Sequence, residues 1–199
     1  MGRTKLFSDD EVINNVADVF ATHGYGGTSI SMLTDATGLG KQSLYNSFGD
    51  KQSLYLKAVD CATARYGGVS QLMDAAPSGM AAIQIFFEAL IKACMSNDPA
   101  EHSCIVSSGL LEAIDDDAIN STLCSKWNIS HALMVAGIKR GQTDRSINKT
   151  GSPVELADFL MTIISGIRVS SRAVKQATRL RKTVKRALAL LRESEVQEV

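Results

Sequence analysis

The chain has 199 residues, of which 45% are hydrophobic and 21% charged, so it can bury a core as one average domain or two small ones. Acidic and basic side chains number 21 each, and this balance excludes an overall basic field that would attract nucleic acid. Its apolar stretches are far shorter than the ~20 residues that a membrane-spanning helix needs, and no signal peptide precedes the first predicted helix. We therefore expect a cytoplasmic protein without a membrane partner.

The first predicted element is a helix that begins near residue 8. Ser8 and Glu11 have the spacing of a capping box, in which each side chain hydrogen-bonds the backbone of the other residue. Apolar residues then recur at helical spacing as far as Gly24, a residue type that often ends helices. This pattern predicts an amphipathic helix whose apolar face is buried.

Two short helices follow, separated by a turn that contains glycine. Thr28 is predicted to cap the first, and Thr37–Gly40 interrupts the pattern before a second helix that Leu44 and Phe48 would anchor. Two short helices joined in this way form a helix-turn-helix, whose second helix lies in the DNA major groove. The outward side chains of this second helix can donate hydrogen bonds, as phosphates and base edges require, and they are Lys41, Gln42, Ser43, Tyr45 and Asn46.

The remaining chain also shows helical periodicity. Asp50 is predicted to cap a helix, and Pro77–Gly79 breaks the chain before an apolar stripe that extends to Cys94. A later capping box, with Pro153 at the first helical position, begins another helix at Ser152. No segment alternates between apolar and polar residues as a β-strand would, so the sequence predicts an all-α fold.

The spacing of the helix-turn-helix residues resembles the tetracycline-repressor (TetR) family of bacterial regulators. The resemblance covers roughly residues 8 to 60 and is carried by two motifs, Gly-Tyr-x-x-Thr-Ser-Ile and Gly-Leu-x-x-x-Ser-Leu-Tyr-x-x-Phe-x-x-Lys. In this chain the matching residues are Gly24, Tyr25, Thr28, Ser29, Ile30, Gly38, Leu39, Ser43, Leu44, Tyr45, Phe48 and Lys51.

The resemblance implies a homodimeric repressor that a small effector releases from a palindromic operator in double-stranded DNA. It places a helix-turn-helix domain at residues 1–50 and a helical ligand-binding and dimerisation domain at residues 51–199. It further implies that Tyr45 and Lys51 contact phosphates. The hydroxyl or backbone amide of Thr28 is a further candidate for a phosphate contact, because helix N-termini attract anions. Gly40 departs from the family pattern, because a Ser or Thr that would cap the second helix is usual there.

The two C-terminal helices carry more apolar surface than a small bundle can cover. A helix that is apolar on several sides must be buried on several sides, and a second copy of the chain is the economical partner. The residues predicted for this dimer interface are Phe159, Leu160, Ile163, Ile164, Ile167, Val184 and Leu188. Nine basic residues and no acidic one lie between Gly166 and Arg192, which is typical of a solvated face and also of a nucleic-acid or membrane surface.

An apolar cavity between helices is the kind of site that a small effector enters. The side chains suited to line such a cavity are Phe86, Phe87, Cys104, Trp127, His131 and Met134. The same residues would also serve as ordinary core. Trp127 is the only tryptophan, so its emission would report an apolar or aromatic effector that binds beside it.

The four cysteines are Cys61, Cys94, Cys104 and Cys124, with no Cys-x-x-Cys pair and no histidine at zinc spacing. This pattern predicts reduced thiols and no metal site. Buried small hydrophobic residues are the simplest interpretation. A thiol-based redox regulator is an alternative, and it would require an exposed cysteine of low pKa.

Catalysis finds little support in the sequence. His23, His102 and His131 form no motif with a serine or cysteine nucleophile, and no metalloprotease, hydrolase or P-loop spacing occurs. We therefore expect no enzyme activity and no cofactor. The alternative from another class is an all-α enzyme or small-molecule-binding protein whose helix-turn-helix is only structural.

Overall fold

A computed structural model describes residues 8–112 and 114–192, and all regular secondary structure within these ranges is helical. The all-α class is confirmed. The elements in chain order are α1 (Asp9–Gly27), α2 (Ile30–Thr37), α3 (Lys41–Phe48), α4 (Lys51–Ala64), α5 (Gly67–Asp74), α6 (Gly79–Cys94), α7 (Pro99–His102), α8 (Ile105–Leu111), α9 (Asp117–Thr143), α10 (Pro153–Ala173) and α11 (Ala177–Ala189).

Side-chain caps start several helices where the sequence predicts them. Ser8 and Glu11 form the capping box of α1, and Ser152 and Glu155 form that of α10. The Asp50 carboxylate accepts the Ser53 N–H at 2.8 Å at the start of α4. Each cap provides an acceptor for a backbone N–H group that has no partner inside the helix.

The cap of α2 differs from the prediction. Ser29, not Thr28, precedes this helix, and its hydroxyl accepts the Met32 N–H at 3.2 Å. Thr28 is buried, and its hydroxyl donates to the Gly24 carbonyl at 2.6 Å. Both residues have cap-forming side chains, so the sequence alone does not choose between them.

The described helices divide into two compact units. The first comprises the described residues up to Tyr66 together with Asp98–Lys126, and the second comprises Gly67–Asn97 and the described residues from Trp127 onward. Helix α4 and the segment of α7 and α8 therefore belong to the same unit as the helix-turn-helix. The predicted boundary at residue 50 separates expected functions rather than compact units, and it stays a prediction.

The first unit is built around an aromatic cluster between α1 and α4. Phe20 is fully buried and Tyr55 is 1% exposed, and their ring centroids lie 5.0 Å apart in an edge-to-face arrangement. Leu33 from α2 and Leu44 from α3 are also fully buried. Burying an apolar side chain of this size contributes about 1.5–3 kcal/mol, so these residues hold the short helices against α1 and α4.

The second unit has its own apolar core, in which α6 packs against α5, α10 and α11. Five of the seven residues predicted for the dimer interface lie in this intramolecular core, and the interface itself stays a prediction. They are Leu160, Ile164, Ile167, Val184 and Leu188, all at most 7% exposed. The excess apolar surface of α10 and α11 is present, but α6 covers much of it within one chain. Phe159 and Ile163 remain half-buried.

The helices also differ from membrane spans in length or in polarity. None of the described helices is both long enough and apolar enough to cross a membrane.

Asn148 fixes the end of α11 in the second unit. Its side-chain amide donates to the carbonyls of Leu190 and Arg192, each at 2.8 Å, and its backbone N–H donates to the Leu191 carbonyl at 2.7 Å. Its side-chain oxygen accepts hydrogen bonds from Thr150. Because Asn148 is only 5% exposed, water cannot readily replace these bonds.

We predict that Asn148→Ala lowers the free energy of unfolding by about 1–3 kcal/mol, because it leaves carbonyl groups at the end of α11 without a donor. Chemical denaturation followed by circular dichroism measures the change. Asn128→Ala is the matched control, since Asn128 is exposed on α9, and its effect should stay within about 0.5 kcal/mol. Equal stability of the two variants would contradict the assigned role of Asn148.

Candidate nucleic-acid interface

Glycines lie at the end of α2 and at both ends of α3. Gly38 ends α2 with φ of +67°, a left-handed conformation that favours glycine, and its N–H donates to the Thr34 carbonyl at 2.9 Å. Gly49 ends α3 with φ of +92°, and its N–H donates to the Tyr45 carbonyl at 2.9 Å. Gly40 precedes α3 and supplies no side-chain cap, as its departure from the family pattern predicts.

Helix α3 has one buried and one exposed face. Leu44 is fully buried and Phe48 is 8% exposed, so both anchor the helix in the core of the first unit. The predicted contact residues lie on the other side. Lys41, Gln42, Ser43 and Asn46 are exposed, and Tyr45 is half-buried. The structure thus brings five of the seven predicted DNA-binding residues together on one short helix.

Two amides on α3 form a pair. The Gln42 side-chain nitrogen donates to the Asn46 side-chain oxygen at 3.0 Å, one helical turn apart. This bond uses one of the two N–H groups of the Gln42 amide and leaves Gln42 with a second N–H as a donor and Oε1 as an acceptor. Such a combination of donor and acceptor matches the major-groove edge of adenine, which presents N6–H₂ and N7.

Lys51 is placed beside α3 by the first turn of α4. Its ammonium lies 4.7 Å from the centre of the Tyr25 ring, within the range of a cation–π contact. Lys41 makes a looser contact of the same kind, 5.8 Å from the Tyr45 ring centre. An aromatic ring beneath an ammonium restricts its position without neutralising its charge, which suits a cation that binds phosphate.

Two ionisable groups near Lys51 have shifted pKa values. Hydrogen bonds from the backbone and side chain of Ser53 hold the pKa of the Asp50 carboxyl below its ordinary value, so Asp50 stays charged as the cap of α4. Partial burial, followed by the charges of Asp116 and Asp50, raises the pKa of the Tyr25 hydroxyl. Tyr25 is therefore neutral at physiological pH.

Thr28 lies apart from the exposed face of α3. It is 2% exposed, and its hydroxyl is engaged with the Gly24 carbonyl, so its side chain serves the turn between α1 and α2. The sequence also missed the contact between Tyr25 and Lys51. These residues are 26 positions apart, and only the packing of α4 against α1 brings them together.

The residues predicted to line an effector cavity are divided between the two units. Phe87 and Met134 belong to the core of the second unit, with Phe86 and Trp127 half-buried against it. The Trp127 ring stacks on His131 at 5.4 Å, and His131 Nε2 lies 2.9 Å from a carboxylate oxygen of Asp158. Cys104 precedes α8 in the first unit. The cavity itself stays a prediction.

A metal site finds no support in the part of the chain that the structure describes. Within residues 8–112 and 114–192, no group of three or more His, Cys, Asp or Glu side chains could hold a metal ion.

Comparison with known proteins identifies the same region. The family profile described as "Bacterial regulatory proteins, tetR family" matches residues 15–58, which contain α2 and α3. The HTH-type transcriptional repressor ComR of Escherichia coli strain K12 is 27% identical over 173 residues, which span 86% of this chain and 82% of ComR. The HTH-type transcriptional repressor AcnR of Corynebacterium glutamicum is 26% identical over 164 residues, 80% of this chain and 79% of AcnR.

A solved structure extends the likeness to nearly the whole chain. A cysteine mutant of the TetR family transcriptional regulator CifR, complexed with 26-base-pair operator DNA, superposes with a TM-score of 0.85 at 26% identity. The match covers 96% of this chain and 100% of the CifR chain. The profile, the repressors and the fold together confirm the resemblance seen in the sequence: residues 15–58 match the TetR family of bacterial regulatory proteins, and the fold is similar to that of a TetR family transcriptional regulator over nearly the whole chain.

Proposed function

We propose that the chain is a homodimeric repressor that reads a palindromic operator with α3 and is released from it by a small effector. The observation that carries this proposal is that α3 has two faces: Leu44 and Phe48 are buried on one, and Lys41, Gln42 and Asn46 are exposed on the other. ComR and AcnR are named as repressors, and CifR is seen on its operator, which supports the same role here.

We assign the recognition of bases to the hydrogen-bonded amides of Gln42 and Asn46 on α3. Docking of a helix-turn-helix places the N-terminal residues of the second helix against base edges. Gln42 lies in the first turn of α3, and its bond to Asn46 orients both amides before DNA arrives. We assign Gln42 to the recognition of adenine, with Asn46 as its orienting partner. A good bidentate contact of this kind contributes about 1–3 kcal/mol of discrimination.

We assign phosphate binding to the cationic and hydroxyl side chains around Gln42 and Asn46. Lys41, Ser43 and Tyr45 lie on α3, and Lys51 lies at the start of α4. Contacts to phosphates fix the register of the protein on DNA, and they carry no sequence information of their own. The N-terminus of α4 adds a favourable helix dipole beside Lys51.

Dimerisation is assigned to the side of α10 and α11 that the described residues 8–112 and 114–192 leave exposed. Phe159 and Ile163 line a shallow groove there together with Ala187 and Leu190, and Leu190 is 66% exposed. A second copy on this face would cover these apolar groups. Two-fold pairing also gives two reading helices, which must sit about 34–36 Å apart to enter successive major grooves.

Effector release is assigned to the second unit. A ligand that binds better to one spacing of the two reading helices shifts the population toward that spacing. A shift of a few ångströms is enough to weaken operator binding, because both helices must fit their grooves together. An apolar or aromatic compound is the effector class that Phe86, Phe87 and Trp127 would accept.

We predict that Gln42→Ala removes the preference for one base pair in each half-site and leaves the salt dependence of binding unchanged. The decrease in discrimination should be about 1–3 kcal/mol, the value of a bidentate base contact. Binding of operator variants substituted at each position measures it. Ser47→Ala, also exposed on α3, is the matched control and should keep the ranking of variants. An unchanged ranking for Gln42→Ala would instead make Lys41 or Asn46 the reader.

We predict that Lys51→Ala weakens binding to all sequences alike. The slope of log affinity against log salt should fall by about 0.9 for each phosphate that is no longer neutralised, hence by ~2 for a dimer. Affinity measured at salt concentrations from about 50 to about 200 mM gives this slope. Lys57→Ala removes an exposed lysine from the same helix and should leave the slope as it is. If both variants had the wild-type slope, Lys51 would not be a phosphate ligand.

We predict that Ile163→Glu yields monomers that lose operator affinity. A charge buried without a partner in the dimer would weaken association by ~3 kcal/mol or more, hence more than about 100-fold. Analytical ultracentrifugation at micromolar concentration measures the change. Ser165→Glu is the control, since Ser165 is exposed on α10 roughly 200° around the helix from Ile163. A wild-type chain that sediments as a monomer would remove the dimer from the proposal.

A further inference from the structure

The carboxylate of Glu112 holds the corner between α1 and α2. Glu112 follows α8, and its oxygens accept the Tyr25 N–H at 2.9 and 3.1 Å and the Gly26 N–H at 3.0 Å. Hydrogen bonds to a charged acceptor are roughly twice as strong as neutral ones. A residue 87 positions away along the chain thus ties α8 to the entry of the helix-turn-helix.

The backbone conformation at Gly24 exposes the N–H groups that donate to the Glu112 carboxylate. Gly24 has φ of +74° and leaves the helical conformation inside α1, which sets the following N–H groups apart from the regular helix. A side chain at Gly24 would overlap Glu112 Oε1, so only glycine fits both the conformation and the contact. Two independent features of residue 24, its φ angle and its lack of a side chain, therefore serve the same contact.

Tyr25, whose backbone Glu112 holds, supports the ammonium of Lys51, the proposed phosphate ligand. The Tyr25 ring lies 5.0 Å from the Tyr55 ring and 6.3 Å from the Phe20 ring, and Lys51 Nζ lies 4.7 Å from its centre. The Tyr25 backbone is held by Glu112 and its ring is packed between α1 and α4. The position of the Lys51 ammonium thus depends on a contact made from α8.

We propose that Glu112 is a positioning residue for DNA binding, which sets the Tyr25 ring beneath Lys51 and so fixes the phosphate contact of Lys51. The inference rests on the phosphate-binding role proposed above for Lys51.

The test combines Glu112→Gln with Lys51→Ala. Glu112→Gln keeps the size of the side chain but removes its charge and one acceptor. It should weaken operator binding about tenfold, as expected when a charge-assisted hydrogen bond is removed, and lower the salt slope as Lys51→Ala does. In the double variant the second substitution should add less than about twofold, because both act on one phosphate contact. Glu101→Gln, an exposed carboxylate of the same segment, should change neither quantity.

Amide proton shifts provide a readout that a general decrease in stability would not give. In Glu112→Gln the Tyr25 and Gly26 amide protons should move upfield, while amides elsewhere in the first unit and the ranking of operator variants stay as in the wild type. Glu112→Asp keeps the charge but shortens the side chain by one methylene, and it should fall between wild type and Glu112→Gln in affinity and in shift. It also serves as the test variant if Glu112→Gln fails to fold.

Two results would overturn the inference and leave the proposed function standing. One is full multiplication of the two effects in the double variant, which would show that Glu112 acts separately from Lys51. The other is unchanged Tyr25 and Gly26 amide shifts in Glu112→Gln. A wild-type chain that shows no sequence preference on DNA would instead overturn the proposed function, and the inference with it.

Discussion

The reading surface is the exposed face of α3, which carries Lys41, Gln42 and Asn46, and it depends on the burial of Leu44 and Phe48. An eight-residue helix is not stable alone in water, so α3 exists because these two side chains are held in the core of the first unit. With that face buried, the direction of every other side chain on α3 is set by the helix itself. Lys41, Gln42 and Asn46 therefore point outward together without any additional contact.

Local placement of charge reconciles DNA binding with a net charge of zero. Several acids of the first unit are engaged away from α3. Asp18 pairs with Arg65 at 2.6 Å, and Asp60 pairs with Lys126 at 2.6 Å. Asp50 caps α4, where its charge is needed for the helix that carries Lys51. Affinity for phosphate depends on the cations that reach it, so a neutral total composition is compatible with a basic reading edge.

Short-range signals in the sequence predicted most of the fold. The capping boxes, the glycine turn and the anchors of α3 are local patterns, and each appears in the structure. Predictions that depended on distant partners were weaker. The apolar excess on α10 was visible, but whether α6 or a second copy covers Ile164 depends on tertiary packing. The contact of Glu112 with Tyr25 leaves no local signal at all, since it is made by an exposed carboxylate across 87 positions.

Selection of DNA from the source genome by the wild-type chain tests the central claim most directly. The account predicts that the recovered fragments share an inverted repeat whose half-sites lie one helical turn apart, or a multiple of it, and that two or more chains bind each site. Binding to this repeat should also weaken steeply as salt rises, because phosphate contacts hold the reading helices in register. Recovery of fragments with no common sequence, bound no better than bulk DNA, would contradict the account.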